Sequence, residues 1–148
     1  MIIEITTKVK YAENEESGFI GRMAHAGLKV RAARLARLYR VDAAFSRAEF
    51  DKLGSELLTD RITETYSLSR PRPGLKGWRV EVWLKDSVTD VVGESVKGAV
   101  ADVLGKEPSA VRFGHAYYVD CPSEKALRRA VAGTLVNETV NRFGIQKI

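Results

Sequence analysis

The sequence predicts an α+β protein built twice over: two tandem βαββαβ repeats whose antiparallel sheets pack together as an intramolecular pseudo-dimer. Three observations predict it. The first is an internal echo. Residues 34–42 (RLARLYRVD) match residues 112–120 (RFGHAYYVD) at an offset of 78 positions. Residues 60–68 match 137–145 at an offset of 77, and residues 3–8 (IEITTK) lie over 80–85 (VEVWLK). A period this long is a small domain, not a solenoid unit of roughly 20–50 residues. The second observation is that both halves run through the same order of alternating and helical patterns. The third is a single linker-like stretch, residues 69–77 (SRPRPGLKG), with two prolines and two glycines. The expected organisation is therefore a first repeat at 1–68, a linker at 69–78 and a second repeat at 79–148.

Residues 2–9 alternate apolar and polar with β-branched side chains, the pattern of a strand with one buried face. Asn14 is expected to cap a helix carrying Phe19, Ile20, Met23 and Ala26 on one side, closed by Gly27. Residues 28–44 are ambiguous. Arg31, Arg34, Arg37 and Arg40 recur every third residue among good helix formers. The echo of this segment holds a glycine, two tyrosines and two valines, which favours extended chain bent at Gly114. Both stretches are therefore expected to be strand–bend–strand. Residues 46–49 (SRAE) form a capping box before a helix that buries Phe50, Leu53, Leu57 and Leu58, and residues 62–68 alternate as a strand.

The second half repeats the order. Residues 79–85 read as a strand, and Asp90 caps a helix with Val92, Val96, Val100 and Val103 on one face, ending at Gly105. Pro122 and Ser123 open a helix with Ala126, Leu127, Ala130, Val131 and Leu135 turned inward, and residues 140–145 form the last strand. Each half thus reads as a ferredoxin-like unit, helices on one side of an antiparallel sheet. The two helix-free faces are expected to bury each other, because halves of about 70 residues make only modest cores alone.

The composition is that of an ordinary globular chain, with 45% apolar and 29% charged residues in 148. No apolar run approaches the roughly 20 residues of a membrane span, and the N-terminus has no cleavable signal pattern. The single cysteine, Cys121, excludes an internal disulfide, fits a reducing cytoplasm and is expected to be a small buried hydrophobe. A net charge of +5 raises the question of nucleic acid, but a binding footprint needs its charges on one face. In an extended segment, arginines three apart alternate faces and the stripe dissolves.

No nucleophile, phosphate loop or metal-spaced cluster stands out. His25 and His115 are the only histidines, and His115 is expected at a hairpin bend. The pattern tilts toward binding or assembly, with no catalytic residues, no metal and no cofactor. Two alternatives stay open: a tandem small-molecule (amino-acid) sensing regulatory domain, and a basic nucleic-acid-binding module.

In the second repeat, Lys85 ends the first strand, Asp90 and Gly93 stand in the following loop, and Gly105 closes the helix. Residues 111–115 (VRFGH) and 135–137 (LVN), continuing through Val140 to Phe143, complete the order. In this order and spacing the repeat resembles the PurS family, the small subunit of phosphoribosylformylglycinamidine (FGAM) synthase, over nearly its whole length. Val91 and Glu138 replace the family's prolines, and His115 replaces its lysine. The first repeat lacks the Asp-x-x-Gly loop and has Ala36 at the glycine place, while residues 57–60 (LLTD) and Tyr66 resemble the closing motif.

The resemblance implies a non-catalytic accessory subunit of a glutamine-dependent, ATP-using ligase in purine biosynthesis. Such a subunit dimerises through its sheets and joins a PurL-type synthase to a PurQ-type glutaminase. A doubled chain would place the dimer in one polypeptide, and pseudo-dimers could associate further. The N-terminal region of the long single-chain synthase looks like such a unit too; the start at Met1 favours a free subunit. The matching positions Asp90, Gly93, Arg112, Gly114, His115 and Asn137 are the expected partner-binding residues. Packing explains Gly93 and Gly114 equally well, and Asn137 could simply end a helix. Arg112, recurring as Arg34, is expected to face solvent or an acidic partner surface.

Overall fold

The computed structural model describes residues 1–70 and 74–148. The expected linker at 69–78 therefore falls in part, at 71–73, outside the described residues. The chain runs β1 (Ile2–Thr7), a 3-10 turn (Val9–Tyr11), α1 (Glu13–His25), β2 (Ala32–Asp42) and α2 (Arg47–Lys52). Helix α2 widens into π-helical turns over Leu53–Leu58 and leads to β3 (Glu64–Ser67). The second half holds β4 (Trp78–Leu84), α3 (Val91–Leu104), β5 (Ala110–Asp120), α4 (Glu124–Thr134) and β6 (Asn141–Lys147). The protein is α+β, as expected, but its architecture departs from the expectation in two respects.

First, neither arginine-rich β2 nor its echo β5 bends. Each is one continuous strand, so a half reads β-α-β-α-β rather than β-α-β-β-α-β. Gly114 lacks the positive φ of a turn glycine. It serves as a recess for the Trp83 indole: a β-carbon there would lie 2.5 Å from Trp83 Cε3 and 2.8 Å from Val82 O. His115 accordingly sits mid-strand, not at a hairpin.

Second, there is one sheet, not two stacked ones. Its order is β3-β1-β2-β5-β4-β6, antiparallel throughout. The long straight strands explain the difference. With no bend to turn them away, β2 and β5 pair along their full length, from Ala32↔Asp120 to Asp42↔Ala110, and the halves join edge to edge. At the centre of this ladder Arg37 faces His115. Ile5 lies between Arg37 and Tyr66, and Val82 lies between His115 and Phe143. These counterparts stand at the offsets of the sequence echo, 78 on the central strands and 77 on the outer ones.

All four helices cover one face, paired across the halves. Phe19 and Met23 of α1 join Leu127, Ala130 and Val131 of α4 over Ala33, Val80 and Val119. Phe50, Leu53 and Leu58 join Val100 of α3 over Ile3, Tyr39, Val41 and Val111. Burying a side chain such as Phe19, Leu127 or Val80 contributes about 1.5–3 kcal/mol, and because both clusters draw on both halves, neither half owns a complete core. Cys121 is a buried free thiol in the first cluster. Several edges of the predicted faces differ: Ile62, Val92 and Ala126 are exposed, because the strand starts at Glu64 and the helices roll these positions outward. Helix α1 is capped at Ala12, not Asn14, without a side-chain bond. Glu13, Glu15 and Glu16 in its first turn complement the helix dipole instead. The Ser46–Glu49 capping box forms as expected.

The helix-free face carries a buried bridge of long side chains. Arg79 of β4 reaches across both central strands to Glu4 of β1 at 2.8 Å. Tyr118 accepts from Arg79 and donates to Glu4. Ala36, Leu38, Trp83 and Ala116 are buried beside this bridge. Burial opposes the Arg79 charge, but the Glu4 carboxylate outweighs it and raises the guanidinium pKa. Burial, and then the Glu4 hydrogen bond, pushes the Tyr118 phenol up, so it stays protonated. Among the described residues, no helix is long and apolar enough to cross a membrane.

Candidate assembly site

The β4–β5 ladder ends at Trp83↔Gly114, while β4 stays paired with β6 through Leu84↔Asn141 before the chain turns toward α3. Asp90 repairs the gap. Its Oδ2 accepts the next β5 amide, Phe113 N, at 2.7 Å, and its Oδ1 accepts Gly93 N at 2.8 Å as the N-cap of α3. A cap of this type is worth about 1 kcal/mol, and here it also satisfies a strand amide. The close approach requires Gly93: a β-carbon there would overlap the Val111 carbonyl and lie 2.9 Å from the Asp90 carboxylate.

Arg112 does not face open solvent or stand free for a partner. Its guanidinium donates to Leu84 O at 3.2 Å, Lys85 O at 3.0 Å and Val88 O at 3.5 Å, and its Nε lies 3.8 Å from Asp90 Oδ2. Carbonyls at the end of β4 and in the following loop draw it inward, Lys85 O being shared with Val88 N, and its side chain is 19% exposed. Among the described residues Arg34 makes no counterpart bonds.

His115 occupies the centre of the helix-covered face. Its ring lies 4.9 Å from Phe113 and 6.2 Å from Tyr117, and Tyr39 and Phe19 extend the row at either end. Burial, then the charge of Arg37, pushes the imidazole below its ordinary pKa, so it is neutral at neutral pH. Arg37 is itself paired through two nitrogens with Glu64. That hydrogen bond raises the guanidinium pKa and lowers the carboxyl pKa against the opposing effect of burial.

Two clefts flank this row. One, about 340 Å3, is lined by Val82, Asp90, Gly114, His115 and Asn141, with Val91 and Val92 also on its wall. The other, about 300 Å3, is lined by Ile5, Ala36, Arg37, Glu64 and His115. Ile5, Ala36, Arg37 and Glu64 stand at the echo offsets from Val82, Gly114, His115 and Asn141. Val91 and Val92 are 74% and 42% exposed, an apolar pair beside the first cleft.

Asn137 lies outside the clefts, in the turn before β6. Its Oδ1 accepts Thr139 N at 3.0 Å, and its own amide donates to Asn141 Oδ1 at 2.9 Å. It therefore braces Asn141, which lines the first cleft. Asp60 shapes the turn before β3 in the same way, accepting from Ile62 N and Thr63 N while its amide donates to Glu64. Of the six expected residues, Asp90, Gly93, Arg112 and Gly114 lie around the first half of β5, His115 stands at its middle, and Asn137 acts through a neighbour. Sequence reasoning missed Trp83, Arg37, Glu64, Asn141 and the Val91–Val92 pair. The offset of 77 could have linked Glu64 to Asn141; of the valine pair only Val91 stands off the expected Val92–Val96–Val100–Val103 face.

The arrangement holds a loop rigid and presents an apolar rim. Among the described residues, no group of three or more histidine, cysteine or carboxylate side chains converges to hold a metal.

No protein-family model matches the chain, and no curated protein matches it. Among solved structures it is similar to the purS subunit of phosphoribosylformylglycinamidine synthase from Thermotoga maritima, at 20% identity and a TM-score of 0.35. That match covers 48% of this chain and 88% of the other.

Proposed function

We propose that the chain is a tandem PurS-like assembly subunit of FGAM synthase, non-catalytic itself, joining a PurL-type synthase to a PurQ-type glutaminase. The observation that carries this reading is the convergence of Asp90, Gly93, Arg112, Gly114 and His115. These residues, which carry the sequence resemblance, come from two short stretches, 90–93 and 112–115, that meet around the β4–α3 loop and one cleft. The matched strand registers of the two halves support a duplicated unit, with the dimer written into one polypeptide. Arg112 and Asp90 work by holding the 85–90 loop, so that Val91 and Val92 meet the synthase on a fixed wall. A stiff apolar rim loses little conformational entropy on docking, which favours binding.

The test is assembly. The purified chain is mixed with a PurL-type synthase and a PurQ-type glutaminase from one genome, and mass is read by light scattering after size exclusion. The expected result is a stable complex containing this chain, weakened at least about tenfold by Val91→Asp with Val92→Asp. Failure of the wild-type chain to join either protein would overturn the reading.

A further inference from the structure

The two ends of the sheet are not alike. β3 is four residues long and is ended by a turn in which Ser69 N donates to Ser67 Oγ at 3.2 Å. β6 is seven residues long and pairs only with β4. The phase of that pairing is fixed at both ends, by Lys85 N to Val140 O at 2.8 Å and Ile148 N to Gly77 O at 2.9 Å. In an antiparallel ladder, alternate residues bond to the neighbour and the others turn outward. Arg142, Gly144 and Gln146 therefore bond to β4, while Asn141, Phe143, Ile145 and Lys147 face away from it. The Asn141 amide is taken by Asn137 O at 2.7 Å. The amides of Phe143, Ile145 and Lys147 remain directed outward, and no described strand covers them.

The charge along this edge is one-sided. β6 carries Arg142 and Lys147 and no carboxylate. Arg128 of α4 lies over the Phe143 ring at 5.7 Å and remains half-exposed despite its contact with Glu124. A second copy pairing antiparallel about Gly144 would gather Arg142, Lys147 and Arg128 of both chains along one seam. Like charges so placed repel, and edge cations are a common guard against self-pairing. The same cations attract a strand of opposite charge.

We propose that the outer edge of β6 is a docking site for an extended, acidic segment of a partner protein, which adds to the sheet as a seventh strand. Main-chain bonds to Phe143 and Ile145 fix its register, and its carboxylates meet Lys147 and Arg128 on the helix-covered face and Arg142 on the opposite one. This inference rests on the geometry and charge of the edge and does not require the partner to be a synthase subunit.

The test uses the full chain and two blocked eight-residue peptides, one alternating threonine with glutamate and one alternating threonine with lysine. Binding is read by fluorescence anisotropy, and amide exchange residue by residue by NMR. The glutamate peptide is expected to slow exchange at Phe143 and Ile145 by at least about tenfold and to bind at least about tenfold more tightly than the lysine peptide. Ile145→Pro removes one outward amide, leaves the bonds to β4 in place, and should abolish the protection. Should that variant fail to fold, Arg142→Glu with Lys147→Glu provides the second arm and should reverse the peptide preference. Unchanged exchange with the glutamate peptide, equal affinity for both peptides, or protection of the same amides by concentration-dependent dimerisation without peptide would each overturn the proposal.

Discussion

Glycines in this chain divide by what surrounds them. A β-carbon on Gly93 would enter the Val111 carbonyl, whereas one on Gly98, in the middle of α3, meets nothing within 4 Å. Gly93→Ala is expected to cost about 1–3 kcal/mol through overpacking against backbone. Gly98→Ala should stabilise by about 0.5–1 kcal/mol by favouring the helix. Urea denaturation of the two variants checks both signs; equal effects would contradict the packing account. His115 gives a second prediction at this scale. Its folded pKa lies below the unfolded value of about 6.5, so below that pH the unfolded chain binds more protons. Its contribution is therefore fully present above about pH 6.5 and declines as pH falls toward the lowered pKa. His115→Gln should flatten this part of the stability–pH curve, measured by thermal unfolding between pH 7 and 5. The Asp90 cap was legible in the sequence, because capping is local chemistry. The role of Gly114 was not, because it depends on an indole from the neighbouring strand.

Among elements, β2 shows how a spacing can mislead. Arginines at every third residue imitate a helix, yet Arg34 and Arg40 lie on one face of the strand and Arg37 on the other. The echo settled strand against helix, since a glycine- and tyrosine-bearing partner suits no helix of that length. It did not reveal that the strand is straight, because a glycine marks a bend or a close approach equally well. Arg112→Ala removes the donors to three carbonyls and should destabilise the chain by about 1–3 kcal/mol. It should also open residues 85–90 to cleavage after Lys85, read by limited trypsin digestion. Arg34→Ala, lacking those bonds, should leave digestion unchanged. Equal sensitivity in both variants would show that Arg112 does not hold the loop.

At the scale of the molecule, both apolar clusters draw side chains from both halves, and the Glu4–Arg79 bridge ties β1 to β4. Fragments 1–70 and 74–148 should therefore be unfolded by circular dichroism when separate and regain structure when mixed. A fragment that folds alone would contradict the shared core. The alternation of the strands made a half-buried sheet legible, but alternation describes faces and is silent about edges. Edge-to-edge joining is decided by β2 and β5 pairing along their whole length, and no local pattern records that. The function of this joined unit is read by one rate comparison. FGAM formation by a PurL-type synthase with a PurQ-type glutaminase is measured with glutamine and, separately, with ammonia, with and without this chain. Adding the chain is expected to raise the glutamine-supported rate while the ammonia-supported rate stays nearly unchanged. Glutamine-supported synthesis that proceeds equally well in its absence would contradict the assembly role.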